Sequence, residues 1–146
     1  MISQRVGTQQ DAASMAALEA RAVPYAWSEQ QYREGLAAGN LALLFHEETA
    51  LVGLALSLAV LDEAEVLNIA IDPSRQGQGL GTQLLHQLIE TLRRQGIRRL
   101  YLEVRESNLA ARALYQRAGF LQTGQRPNYY RSASGREHAI LLEASL

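Results

Sequence analysis

Two residue types that many enzymes use for chemistry are missing from this chain. It has no cysteine, which excludes disulfides, thiolate metal sites and cysteine acyl intermediates. It has no lysine: all fourteen basic residues are arginine, so Schiff-base catalysis is excluded too. The simplest reading of that second absence is biased codon usage. An excess of charge is also lacking, with fourteen basic residues against fifteen acidic ones and a formal charge of -1. A general nucleic-acid binder is normally strongly basic, so no direct nucleic-acid partner is expected. Asp, Glu, Gly or His interrupts every apolar run before membrane-spanning length, so no membrane partner is expected. Met1 to Thr8 lacks the apolar core of a secretion signal, and the expected location is the cytoplasm. Repeats, low-complexity tracts and linkers are absent. The 146 residues, 47% of them hydrophobic, suit one domain over 1–146, expected as a monomer.

The periodicities that remain specify an order of elements. Ser3 to Val6 reads as a short strand. Thr8, with Asp11 three residues on, opens a helix that Pro24 ends. Ser28 and Gln31 repeat that capping pattern for a second helix, which Gly39-Asn40 stops. Leu41–His46, Leu51–Leu61 and Glu65–Ile71 read as an antiparallel meander. Leu80, Leu84, Leu88 and Leu92 stripe a long helix from about Gly79 to Gln95, and Gly96 suits its left-handed end. Arg99 to Arg105 alternates, with Leu100, Leu102 and Val104 on one face and Tyr101, Glu103 and Arg105 on the other. A helix over Asn108–Ala118 and strands over Leu121–Tyr130 and His138–Glu143 complete the chain. This predicts an α/β fold: a mixed, mostly antiparallel sheet of about seven strands with about four helices.

The most informative segment follows the third meander strand. Asp72-Pro73 breaks that strand, and Arg75-Gln76-Gly77-Gln78-Gly79-Leu80-Gly81-Thr82 leads into the leucine-striped helix. Glycines allow sharp turns and close backbone approach. The first N–H groups of a helix have no internal partner and lie at the positive end of its dipole. The pattern therefore predicts a pyrophosphate cradle. It is not a P-loop, which needs Gly-Lys, and it is not the dinucleotide fingerprint, which sits in a parallel βαβ unit.

Gln76-x-x-Gly79-x-Gly81 resembles the Q/R-x-x-G-x-G/A motif of the GNAT superfamily of N-acetyltransferases, and the element order resembles their fold along nearly the whole chain. Several further segments are similar to the bacterial ribosomal-protein-alanine N-acetyltransferases, the RimI type. They include Trp27-Ser28-Glu29, Asn68-Ile69-Ala70, Leu102-Glu103-Val104-Arg105, Ser107-Asn108, Ala113-Leu114-Tyr115 and Asn128-Tyr129-Tyr130. The resemblance implies acetyl-coenzyme A as cosubstrate and no metal. It implies that Ile69, Ala70 and Ile71 pair with the pantetheine arm, that the Gln76–Thr82 loop holds the pyrophosphate, and that Asn108 contacts the coenzyme. Strand addition of that kind requires a splayed or bulged strand. Gly77 departs from the pattern, because relatives carry a basic residue there; Arg75, just upstream, is the residue placed to substitute.

The reaction that the resemblance implies needs a base, oxyanion donors and an acid. An N-terminal amine titrates near pH 8 and must lose a proton before it can attack. By resemblance Glu103 is the base; by strand position alone it is a solvated carboxylate paired with Arg105 or Arg99. By resemblance Tyr115 is the acid, with a hydroxyl titrating near 10, close to a thiol leaving group; by helix position alone its ring is core packing. Asn108 is also a natural helix cap. His46, His86 and His138 have no ligand-spaced partners and read as surface or structural residues. With no cysteine and no G-x-S-x-G elbow, direct transfer in a ternary complex is expected.

The resemblance implies a protein N-terminus as acceptor, the N-terminal alanine of a basic small-subunit ribosomal protein. Asp62, Glu63 and Glu65, with Glu47 and Glu48, form a possible negative rim for it, or ordinary hairpin polarity. Trp27, Tyr129 and Tyr130 are candidate walls of a peptide slot. A sister enzyme acting on a lysine or small amine, and a non-enzymatic acyl-coenzyme A module, are the alternatives.

Overall fold

A single seven-stranded sheet organises the chain in the computed structural model, which describes residues 1–146. The strands are β1 (Ile2–Val6), β2 (Leu41–Glu47), β3 (Ala50–Val60), β4 (Glu63–Ile71), β5 (Arg99–Arg105), β6 (Leu121–Ser132) and β7 (Gly135–Ser145). Their spatial order is β1-β2-β3-β4-β5-β7-β6. Every neighbouring pair is antiparallel except β4 and β5. The helices are α1 (Ala12–Ala22), α2 (Glu29–Ala37), α3 (Leu80–Arg94) and α4 (Leu109–Arg117). None of them is long and apolar enough to cross a membrane. The expected sheet, helix count and element order are all present.

Local chemistry explains most of these boundaries. Thr8 and Asp11 cap each other reciprocally, although the first turn, Gln9–Asp11, is a 3-10 turn before α1 begins. Ser28 and Gln31 make the same box at α2, which satisfies two otherwise orphaned N–H groups. Gly79 starts α3 from a left-handed conformation, φ 81°.

Strand alternation divides the interior into two cores. On one face, Leu80, Leu84, Leu85, Leu88 and Leu92 of α3 pack with Leu100, Leu102 and Val104 of β5. On the other, Met15 and Leu18 of α1 and Tyr32 of α2 pack on Ala42, Leu44, Leu54 and Leu56. Residues of β5 with odd numbers therefore face the α1/α2 side.

Two irregularities position the site. The register of β3 and β4 shifts so that Leu56 opposes Asn68 while Ser57 opposes Val66, which leaves Leu67 as the extra residue of a bulge in β4. The buried Asn68 amide donates to the Tyr32 hydroxyl at 3.0 Å. Nearby, the buried Glu19 carboxyl accepts the Trp27 N–H at 2.7 Å, and burial raises its pKa. Just before the bulge, β4 loses its second neighbour. It pairs with β5 only from Glu63–Arg99 to Glu65–Tyr101, and past that point the two strands splay.

Candidate active site

The splay opens beside the glycine loop. A cleft of about 420 Å³ is lined by Ile69, Ala70 and Ile71 of β4, by loop and first-turn residues from Arg75 to Thr82, and by Asn108, Ala111 and Leu114 of α4. Gly77, Gly79, Leu80, Gly81 and Thr82 all contribute to its wall, whereas the exposed Gln78 does not.

The loop is held from several sides. The Asp72 carboxylate accepts from the Ser74 N–H at 2.9 Å and the Ser74 hydroxyl at 2.7 Å, and it pairs with Arg21 of α1 at 2.9 Å. Those contacts hold its pKa below the usual carboxylate range. The Gln76 amide donates to the Ile71 carbonyl at 3.2 Å, folding the loop back on the strand it leaves. Gly77 and Gly79 have φ of 78° and 81°, a region that costs other residues about 1–2 kcal/mol. The N–H groups of Gly77, Gln78 and Gly79 take no backbone partner, and those of Leu80, Gly81 and Thr82 are first-turn donors. Free N–H groups at a helix N-terminus, with an apolar cleft beside the unpaired edge of β4, fit a pyrophosphate joined to an extended amide chain.

Arg75, the expected substitute for the missing basic side chain, lines the cleft, and its guanidinium also pairs with Glu47 at the end of β2.

Nothing lies within 4 Å of a Cβ built on Gly79, so the cost of a side chain there is conformational. Gly79→Ala is expected to destabilise the fold by about 1–2 kcal/mol, read from the midpoint of urea unfolding. An unchanged midpoint would show that the loop tolerates another backbone conformation.

Asn108 does act as a cap: its Oδ1 accepts the Ala111 N–H at 3.2 Å. The same residue lines the cleft.

Glu103 stands on β5 two residues past the last pairing with β4, facing the α1/α2 side. Its partner is neither Arg99 nor Arg105. Arg126 of β6 reaches it, Nε to Oε1, at 2.9 Å. Arg99 is taken by Glu63 and Glu143. Arg105 lies between the rings of Tyr25 and Tyr130, 4.4 and 4.3 Å from their centroids, and donates to the Arg131 carbonyl at 2.7 Å. It also approaches Glu137 at 3.5 Å, which holds the Ser107 N–H and hydroxyl at 3.0 and 2.7 Å. The loop before α2 and the β6–β7 arm are thereby joined across the open end of β5. Sequence reading missed Tyr25, Arg126 and this use of Arg105 and Glu137.

Tyr115 is buried in the α3/α4 core, its ring 5.6 Å from that of Phe120. Burial, with a smaller contribution from Tyr130, pushes its hydroxyl well above the ordinary tyrosine value. A titration near 10, expected from the residue type alone, is therefore incorrect for this site.

The aromatic residues separate. Trp27 packs on Tyr32 at 5.4 Å against the α1/α2 core. Tyr129 and Tyr130 meet edge-on at 5.1 Å, and Arg126 lies 5.2 Å from the Tyr129 ring. His138 accepts the Asn128 N–H at 3.0 Å and so supports the irregularity from which Tyr129 and Tyr130 project. His46 and His86 lie away from it on β2 and α3. The acidic rim does not exist as one patch. Glu47 and Glu48 precede the start of β3 and Asp62 to Glu65 follow its end, so the two groups stand about 30 Å apart along that strand.

A model of the acetyltransferase (GNAT) family matches residues 12–120. The ribosomal protein bS18-alanine N-acetyltransferase of Escherichia coli strain K12 is 42% identical over 125 residues, 86% of this chain and 84% of that one. The protein of the same description from Haemophilus influenzae is 41% identical over 129 residues, 88% and 86% of the two chains. The crystal structure of the ribosomal-protein-S18-alanine N-acetyltransferase from Escherichia coli matches with a TM-score of 0.95 and 37% identity, over 99% of this chain and 94% of that one.

Proposed function

The chain belongs to the acetyltransferase (GNAT) family, and from that premise we propose that it acetylates the N-terminal alanine of the small-subunit ribosomal protein bS18 in the cytoplasm. Residues 1–146 act together as one N-acetyltransferase domain. The observation that carries this reading is the lapse of β4–β5 pairing after Glu65–Tyr101. It frees one edge of β4 beside the phosphate cradle and leaves Glu103 on the segment of β5 that borders the gap.

Acetyl-coenzyme A, when bound, supplies an acetyl group activated as a thioester. Ile69, Ala70 and Ile71 offer free backbone groups to an extended amide chain, and the Gly77–Thr82 N–H groups hold the phosphates. Asn108 orients the ligand from the start of α4. Glu103 takes the proton of the acceptor amine, directly or through water. Arg126 holds the carboxylate in place while leaving its second oxygen for that proton. Tyr115 gives its proton to the departing sulfur. Burial raises its pKa and so favours the protonated hydroxyl that this role needs. The chain has no cysteine and no Gly-x-Ser-x-Gly elbow, which supports direct transfer within a ternary complex.

The test is thiol release from acetyl-coenzyme A across alanine-led basic peptides, other N-termini, lysine side chains and small amines. The expected result is highest kcat/KM with the alanine-led peptide and intersecting initial-rate lines. Preference for a small amine would overturn the acceptor, and parallel lines would overturn direct transfer.

A further inference from the structure

The helices on the Glu103 side do not cover the whole sheet. Their core takes residues from β2, β3 and the far end of β4. The part around the β3–β4 hairpin and β5 stays open, with Leu58 and Tyr101 exposed at 38% and 37%. In register, Leu58 opposes Glu65 and Glu65 opposes Tyr101. The three side chains therefore form one row across three strands, on the face that Glu103 shares.

Glu65 differs from the other carboxylates of this face. Glu63 and Glu143 hold Arg99, and Glu103 holds Arg126. The half-buried Glu65 forms no such pair. Its burial and the charge of Glu103 raise its pKa, and Arg126 offsets this only in part. An ionised Glu65 is thus short of positive charge, with an aliphatic side chain on one side and an aromatic ring on the other. That combination suits an arginine or lysine, whose stem covers apolar surface and whose charged head meets a carboxylate and a ring.

We propose that Glu65, flanked by Leu58 and Tyr101, receives a cationic side chain from the first residues that follow the acetylated amine. This rests on the peptide-acceptor reading above. Glu65 lies one strand across and two residues back from Glu103, roughly 8 Å away. An extended acceptor advances about 3.3 Å per residue, so a long basic side chain at its second or third position spans that distance. Glu65 then makes the enzyme selective for basic N-termini through binding rather than through the chemical step.

The test compares alanine-led peptides that differ only in carrying arginine, norleucine or glutamate at positions two and three. With the unaltered enzyme, kcat/KM is expected to favour arginine over norleucine by about tenfold, the effect of one charge-assisted hydrogen bond. The difference should lie in KM and shrink as salt is raised. In Glu65→Gln the arginine-to-norleucine ratio falls towards one. In Glu65→Arg the glutamate peptide becomes better than the arginine peptide. An arginine preference that persists in Glu65→Gln would overturn the proposal, as would equal use of all three peptides by the unaltered enzyme. In both cases turnover of alanine-led peptides leaves the peptide-acceptor reading standing. Failure to turn over any alanine-led peptide would overturn both.

Discussion

Glu103→Gln is expected to lower turnover at neutral pH by about 10²- to 10⁴-fold, the usual contribution of a positioned base. The substitution keeps the size of the side chain, and it removes both the capacity to take a proton and the charge that Arg126 pairs with at 2.9 Å. Glu103 does not line the cleft that holds the glycine loop, so coenzyme affinity measured by calorimetry should hardly change. The deficit should narrow as pH rises past about 8, where the acceptor amine loses its proton without help. Unchanged activity at neutral pH would move the base elsewhere, and a deficit that does not depend on pH would make Glu103 a binding group.

Tyr115→Phe should slow turnover by about 10²-fold, the lower end of the range for acid–base groups. The ring is buried against Phe120, and phenylalanine preserves that packing, so the folded protein should persist with its coenzyme affinity intact. The pH profile gives an independent reading. Folding raises this hydroxyl's pKa, so the folded state holds the proton more tightly than the unfolded one. The stability linked to it is complete below the ordinary tyrosine value and is lost as pH rises through that value towards the folded one. Turnover should accordingly show no alkaline decline up to about pH 10. A decline near pH 8 or 9 would identify a different acid, and loss of folding in Tyr115→Phe would show that the hydroxyl itself is structural.

Those two residues show which information the sequence carries. The alternation of β5 was readable because it is local: Leu100, Leu102 and Val104 are buried and Glu103 faces the other way. The Ser28–Gln31 and Thr8–Asp11 caps were readable for the same reason. The glycine loop was readable because positive φ restricts residue choice. What escaped depends on register between distant segments. The Glu103–Arg126 pair requires knowing that β7 lies between β5 and β6. The clasp of Arg105 by Tyr25 and Tyr130 joins three separate elements. The bulge at Leu67 escaped because Glu65–Ile71 alternates acceptably without it, and only the pairing with β3 reveals the extra residue. The acidic rim failed for the converse reason: proximity in sequence was read across a strand that carries its two halves apart.

The brief parallel contact between β4 and β5 has a mechanical consequence. The sheet consists of two halves, β1 to β4 and β5 with β7 and β6, joined along a seam three residue pairs long. An extended ligand lying in the gap would act as a missing strand and stitch the halves together. Binding and rigidity are then one property of this protein. At a free coenzyme concentration a hundred times its Kd, the folded state would gain about 2.7 kcal/mol. The resistance of the sheet to opening would thus rise and fall with the supply of coenzyme, acylated or free, so that the protein is weakest along this seam when its cleft is empty.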